Sequence, residues 1–215
     1  MHHGVYQGIE AQNQEKRILI LGESHHDKKE KIGKPASYPT KCIVNTYLEE
    51  EKTKNTHHFF HKIACSFGVD TNKKEEKEKF WNKVYFGNYI DVICGVADGT
   101  AKKMVNQKST CYNKKLKEFV IQEKIDYIFC FGVSAVYNYL PSEEGWDRNA
   151  IYPGGKIIVG HTMKNGIEKK VYLRAGIYRQ GGYFERKVTV YGIPHPSAKG
   201  GFNPDNFAKE LSKFF

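Results

Sequence analysis

The stretch Arg17-Ile18-Leu19-Ile20-Leu21-Gly22 constrains this chain more than any other. Its apolar run has no polar interruption, so neither face can be turned to water, and its length suits a strand rather than a helix. A strand buried on both faces belongs inside a parallel sheet that helices cover on both sides. The glycine that ends it marks the carboxyl edge of such a sheet, where open α/β folds bind their ligands. The loop from Glu23 to Tyr38 is therefore the first place to look for chemistry.

Three further segments read the same way: Tyr85 to Ile93 is rich in aromatic and β-branched residues, Ile125 to Gly132 is a second apolar run closed by glycine, and Lys187 to Ile193 precedes a proline-rich turn. Helical periodicity fills the intervals. Ile43, Val44, Tyr47 and Leu48 follow Thr40 as a cap, Phe59, Phe60, Ile63 and Phe67 make a second stripe, and Lys73 to Lys83 forms a charge-rich third helix. Leu116, Phe119 and Val120 give the inner face of a helix over Asn113 to Lys124. Asn203 and Pro204 start a terminal helix whose inner face is Phe207, Leu211 and Phe215. Val133 to Leu140 reads as a short helix stopped by Pro141, and Val171 to Tyr178 as a β segment. Ser142 to Asn149 and Gly154 to Lys170 read as surface loops. Strands alternating with helices predict an α/β fold: a three-layer α/β/α sandwich around a mainly parallel four-stranded sheet. At 215 residues the expectation is one domain over 1–215, with 1–15 peripheral.

The chain carries a formal net charge of +10, which draws polyanions toward it, since clustered Lys and Arg gain affinity by releasing counterions from nucleic acid. No run approaches the ~18 apolar residues of a membrane span, and the start of the chain lacks a signal-peptide core, so the reading is a cytoplasmic protein with no membrane partner. The five cysteines, Cys42, Cys65, Cys94, Cys111 and Cys130, are odd in number and widely spaced. That pattern suggests neither a disulfide framework nor a cysteine metal motif. His25, His26 and Asp27 form one candidate metal-binding set, and His57, His61 and Cys65, four apart along a helix, form another. Both read better as non-metal residues, and no metal or organic cofactor is expected.

Two strand-end motifs carry the functional reading: Gly22-Glu23-Ser24-His25-His26 after the first strand and His195-Pro196-Ser197 after the last. With Asn88 in Phe86-Gly87-Asn88-Tyr89, their order and placement resemble the active-site motifs of the uracil-DNA glycosylase superfamily, nearest to members whose first loop begins Gly-Glu-Ser-His. The resemblance implies that the first loop supplies the water-activating residue and the last loop a histidine and a phosphate contact. It also implies that an asparagine reads the edge of a flipped base and an aromatic residue, here Tyr38, stacks on it. Where the superfamily carries Asp or Asn this chain has Ser24, which cannot act as a carboxylate base, so the carboxylate falls to Glu23.

Chemistry agrees on what such a site requires. Hydrolysis of a base–sugar bond needs a carboxylate near C1′ and a donor for the departing base anion, roles open to Glu23 and His195. Asn88 carries donors and an acceptor for a base edge, with Ser24, His25 and Tyr38 as further base-binding candidates. His26, Lys28, Ser197 and Lys199, with Lys29, Lys31 and the glycines at 200 and 201, are candidate DNA-backbone contacts. Each also has a plain structural alternative: a strand-end bond for Glu23, a rigid turn for His195, a polar turn for Ser197, and a tie between strand and loop for Asn88. The expected activity is a monomeric DNA glycosylase acting on uracil, a damaged base or a bulky hypermodified pyrimidine. The alternative is a non-catalytic nucleic-acid-binding protein that keeps the fold.

Overall fold

The computed structural model describes residues 4–27, 32–35, 40–50, 57–96, 110–134, 136–142, 144–164, 166–197 and 202–215. The Arg17–Gly22 run becomes β2 (Ile18–Gly22), every residue of it buried. It pairs in parallel on both sides, with β4 (Val84–Asn88) and with β6 (Tyr127–Phe131). β10 (Val188–Ile193), buried throughout, lies parallel to β6. The four expected strands thus form the parallel centre, ordered β4-β2-β6-β10.

The sheet is larger than the four strands read from the sequence, and mixed. It has eight strands, because antiparallel additions extend both sides of the parallel centre. On one side β1 (Tyr6–Gln7) pairs with β4, so the amino-terminal segment supplies an edge strand and buries Tyr6 and Ala11. On the other, β9 (Ile167–Tyr178) pairs with β10, and its outer edge carries β7 (Trp146–Asp147) and β8 (Lys156–Lys164). The span expected as a loop from Gly154 to Lys170 is therefore mostly a β-hairpin. Its Asn165-Gly166 dipeptide is a strong hairpin signal, and Gly166 has the left-handed φ of 74° that such a turn uses. Arg174 is opposite Gly192, near the end of β10, so residues 167–173 of β9 continue past the carboxyl edge of the sheet.

Alternation along β2 divides the core. Ile18 and Ile20 face one layer with Phe86, Phe129, Phe131, Tyr191 and Ile193, covered by α1 (Thr40–Glu49), α2 (His58–Ser66), α3 (Lys74–Asn82) and α5 (Asp205–Leu211). Leu19 and Leu21 face the other with Tyr85, Ile128, Cys130 and Val190, covered by α4 (Thr110–Gln122). This gives the three layers anticipated from the alternation of strands and helices. Among its described residues, the segment 133–140 holds a single 3-10 turn, Tyr137–Tyr139, rather than a helix. At the terminal helix the Asp205 N–H donates to Asn203 Oδ1 at 3.0 Å, an Asx-type cap one residue ahead of Pro204.

One charge sits where its helix pattern gave no warning. Lys77, on the charge-rich α3, is only 2% exposed. Its ammonium donates to the carbonyls of Tyr47 at 3.0 Å and Glu50 at 2.9 Å, and lies 4.8 Å from the Tyr47 ring centre. The last carbonyls of α1 have no helical partners, and a cation there also meets the negative end of the helix dipole. Burial pulls the Lys77 ammonium below its usual range, and Glu50 opposes that shift. Replacing Lys77 with Met keeps the bulk of the stem but strands the two carbonyls, so Lys77→Met is expected to cost about 2 kcal/mol in chemical denaturation. An unchanged denaturation midpoint would show that the ammonium does not bind α1 to α3.

Candidate functional site

In a doubly wound sheet the crevice lies beyond the carboxyl ends of adjacent strands whose outgoing connections run in opposite directions. Here the chain leaves β2 toward β4 and leaves β6 toward β10, so the crevice lies at the ends of β2 and β6. The residues at these ends, at the neighbouring end of β4 and after β10 are the candidates.

The first loop is held by backbone pairing from its start. The Tyr89 N–H donates to the Gly22 carbonyl at 2.9 Å and the Ile90 N–H to the Glu23 carbonyl at 3.0 Å. The loop then forms β3 (His25–Asp27), which lies parallel to β5 (Ile93–Val96) with a register irregularity between His25 and His26. A strand alternates its side chains, and here that separates the two histidines: His25 is partly buried while His26 is exposed.

Gly22 is opposite Asn88 in the β2–β4 register. A Cβ on Gly22 would come within 2.5 Å of Asn88 Oδ1 and 3.4 Å of Phe59 Cζ, so only glycine lets the Asn88 amide fold over the strand end. From there Asn88 Nδ2 donates to His25 Nε2 at 3.1 Å, which places the ring hydrogen on Nδ1. The Thr40 hydroxyl, at the start of α1, lies 3.3 Å from the same nitrogen. Burial holds the His25 imidazole below its ordinary pKa, opposed by the carboxylate of Asp91 and reinforced by His26. Asp91 in turn accepts a 2.6 Å ion pair from Lys115 on α4. The tie between strand and loop foreseen for Asn88 is thus made, and its partner is His25.

His195 reaches the same neighbourhood through an aromatic residue. Its ring packs on Phe59 of α2 at 5.3 Å between centres, and Phe59 also meets Phe86 of β4 at 6.1 Å. The Ser197 N–H donates to His195 Nδ1 at 3.1 Å, leaving the hydrogen of the neutral ring on Nε2. Lys62, also on α2, donates to the Pro196 carbonyl at 3.0 Å and pins the turn. Phe59 and Lys62 were legible in the sequence only as helix residues. No spacing rule links α2 to the last strand, so their part in holding the final loop had no signal there.

The remaining candidates separate. Glu23 is partly buried, next to Gly22 at the strand end. The Ser24 hydroxyl is buried, has no nitrogen or oxygen partner among the described residues, and lies beside the Cys94 thiol, whose pKa burial raises. Ser197 is exposed. Tyr38, Lys28, Lys29, Lys31, Lys199 and the glycines at 200 and 201 lie outside the described residues. Of the helical histidine set, His57 Nδ1 bonds Glu50 at 2.7 Å, whereas His61 Nδ1 bonds Thr71 at 2.7 Å with Cys65 nearby. Each imidazole therefore has its own protein partner. A basic cavity of about 510 Å³ lined by Lys16, Lys124, Arg186 and Lys187 lies at the opposite, amino edge of the parallel strands.

No model of a known protein family matches the chain, and none of the curated proteins is significantly similar to it.

The partial burial of His25 and His61 has a pH consequence. Both are held below the ordinary histidine pKa, with burial the largest cause in each. The unfolded chain takes up protons near ~6.5 and the folded chain resists, so stability is full above that value and falls as pH drops through it. Thermal melts between pH 8 and pH 5 should show a falling midpoint, and His25→Gln should flatten the fall by up to about one proton's worth of slope. A variant with the same pH slope as the parent would remove His25 from the account.

Proposed function

We propose that the carboxyl edge of the sheet is the active site of a DNA glycosylase-like enzyme that hydrolyses the base–sugar bond of a flipped pyrimidine, be it uracil, a damaged base or a hypermodified one. The observation that carries this reading is the convergence of three strand ends: Asn88 bonded to His25, and His195 packed on Phe59, which also lies against Gly22. A charge of +10 supports a polyanionic substrate.

In the proposed reaction, water attacks C1′, the C1′–N bond breaks as the C1′–O bond forms, and the water proton ends on the departing base. The Glu23 carboxylate orients the water and stabilises positive charge on the sugar. His195 presents its Nε2 hydrogen to the base as negative charge develops there. The donor–acceptor set of Asn88 and His25 meets the base edge.

A second reading rests on Ser24. Its hydroxyl is buried beside Cys94, so it adds no polar group to the opening, and the position where the superfamily carries Asp or Asn supplies no carboxylate or amide here. A binding protein without catalysis would tolerate this.

Base release from duplexes containing uracil, hydroxymethylcytosine or glucosylated hydroxymethylcytosine tests both readings. Glu23→Gln and His195→Ala are expected to slow release by about 10²- to 10⁴-fold while DNA affinity and folding persist. Full activity in both variants overturns the assignment, and DNA binding without release on any duplex favours the binding protein. For Asn88→Ala, activity on the preferred base should fall far more than DNA affinity, because the wrong group leaves the site's own polar atoms unpaired. Equal losses of both would return Asn88 to a structural tie alone.

A further inference from the structure

A second cavity, of about 240 Å³, sits on the α4 face of the sheet over β9 and β10, lined among others by Tyr137, Ser142, Trp146, Arg148, Arg174 and Tyr178. Two glycines seat its aromatic walls on the sheet. Gly192 on β10 is in contact with the Tyr137 ring, where a Cβ would come within 2.7 Å, and Gly176 on β9 lies under Trp146, where a Cβ would come within 2.3 Å. These aromatic rings therefore lie directly on the backbone, and Arg174, opposite Gly192 in the register, lines the same cavity.

The charge in this cavity is one-sided. Arg174 is partly buried and Arg148 exposed, and among the described residues no carboxylate lines the space and neither guanidinium makes an ion pair. The Tyr178 hydroxyl is used up, since it donates to the Pro141 carbonyl. The Tyr137 hydroxyl is buried and has no hydrogen-bond partner among the described residues. A buried O–H without an acceptor is costly, and two forked donors without an acidic partner are a geometry that phosphate oxygens satisfy. Burial raises the Tyr137 phenol to about 12, while Arg148 and Arg174, which line the same cavity, both act to lower it.

We infer that this cavity binds a phosphate ester, its oxygens held by Arg148 and Arg174 and accepting from the Tyr137 hydroxyl, with Trp146 as an aromatic wall for whatever the phosphate carries. Its volume lies below the ~300 Å³ at which drug-sized pockets begin, which suits a phosphate and part of its substituent. Neither Glu23 nor His195 lines the cavity, and the inference does not depend on their chemistry.

The chain has two tryptophans, Trp81 fully buried in the core and Trp146 on the cavity wall, so tryptophan fluorescence reports on the cavity. Titration with inorganic phosphate and with a deoxynucleoside 5′-monophosphate should give a saturable change that Trp146→Phe abolishes. Arg148→Gln and Arg174→Gln should each weaken binding about tenfold or more, the effect of losing a charge-assisted hydrogen bond, and Tyr137→Phe several-fold. Variants that melt early are replaced by the Arg→Lys pair, which keeps the charge but loses the fork and should bind at an intermediate level. A single-stranded oligonucleotide without terminal phosphates that competes with phosphate assigns the group to a nucleic-acid backbone; failure to compete assigns it to a small ester. No saturable change with either probe, or unchanged binding after loss of both arginines, overturns the inference. Base release measured on the same variants separates the two sites: arginine-dependent phosphate binding in a protein that releases no base upholds the cavity and removes the glycosylase reading.

Discussion

β2 has no side facing water. Its five residues are buried, its two faces serve two core layers, and both of its edges are hydrogen-bonded to parallel neighbours. A slip of one residue would turn Ile18 and Ile20 toward α4 and send Leu19 and Leu21 to the opposite layer, so the register is fixed by the whole core at once. Because that register holds, Gly22 is level with Asn88, the amide reaches His25, and the first loop begins on a fixed base. The geometry of the carboxyl edge is inherited from a strand that contributes only its last residue, Gly22, to it.

The support beneath that edge is aromatic. Phe59 and Phe60 of α2, Trp81 of α3, Tyr47 of α1 and Phe86 of β4 meet in edge-on and stacked pairs between 5.3 and 6.2 Å apart. Such rings bury large areas and have few rotamers, which makes a stiff platform. His195 caps it, and Lys62 fixes the turn that follows. Lys77 works at the far side of the same cluster, over the Tyr47 ring, by joining α3 to the open carbonyls of α1. The histidine after β10 is thus oriented by helices whose sequence distance from it exceeds 100 residues.

The four parallel strands and five helices were legible because each buries a face, and burial writes a period of two or 3.6 into the residue pattern. What escaped lacks such a pattern. β1 has only two residues, too few to show alternation, and β3 and β5 pair only with each other. The β8–β9 hairpin carries Lys, Glu and His on residues exposed to water, so composition pointed to a loop even though Asn165-Gly166 pointed to a turn. At the site, strand ends and loop motifs led to Glu23, His25, Asn88 and His195 because sheet topology sends them to one edge. Side-chain direction was not legible. Nothing in the sequence Gly-Glu-Ser-His says that Ser24 turns inward beside Cys94 while His25 turns to Asn88. The cavity lined by Arg148 and Arg174 was equally hidden, because its aromatic walls rest on glycines of two strands that meet only in the folded sheet.

The way the sheet ends also governs how these molecules meet each other. An unpaired strand edge can template a strand from another chain, and long, flat edges are the usual route into aggregates. One end of this sheet offers only the two residues of β1. At the other end the outer edge is divided between the two-residue β7 and β8, whose pairing with β9 is broken between Ile158 and Gly160. A bulge twists the strand and interrupts the regular spacing that an incoming chain would need. Exposed Lys169 and Lys170 on the hairpin add like-charge repulsion between approaching copies. Among the described residues, the large hydrogen-bonded sheet therefore ends in short or interrupted edges rather than in a smooth seam along which copies could zip into a fibre.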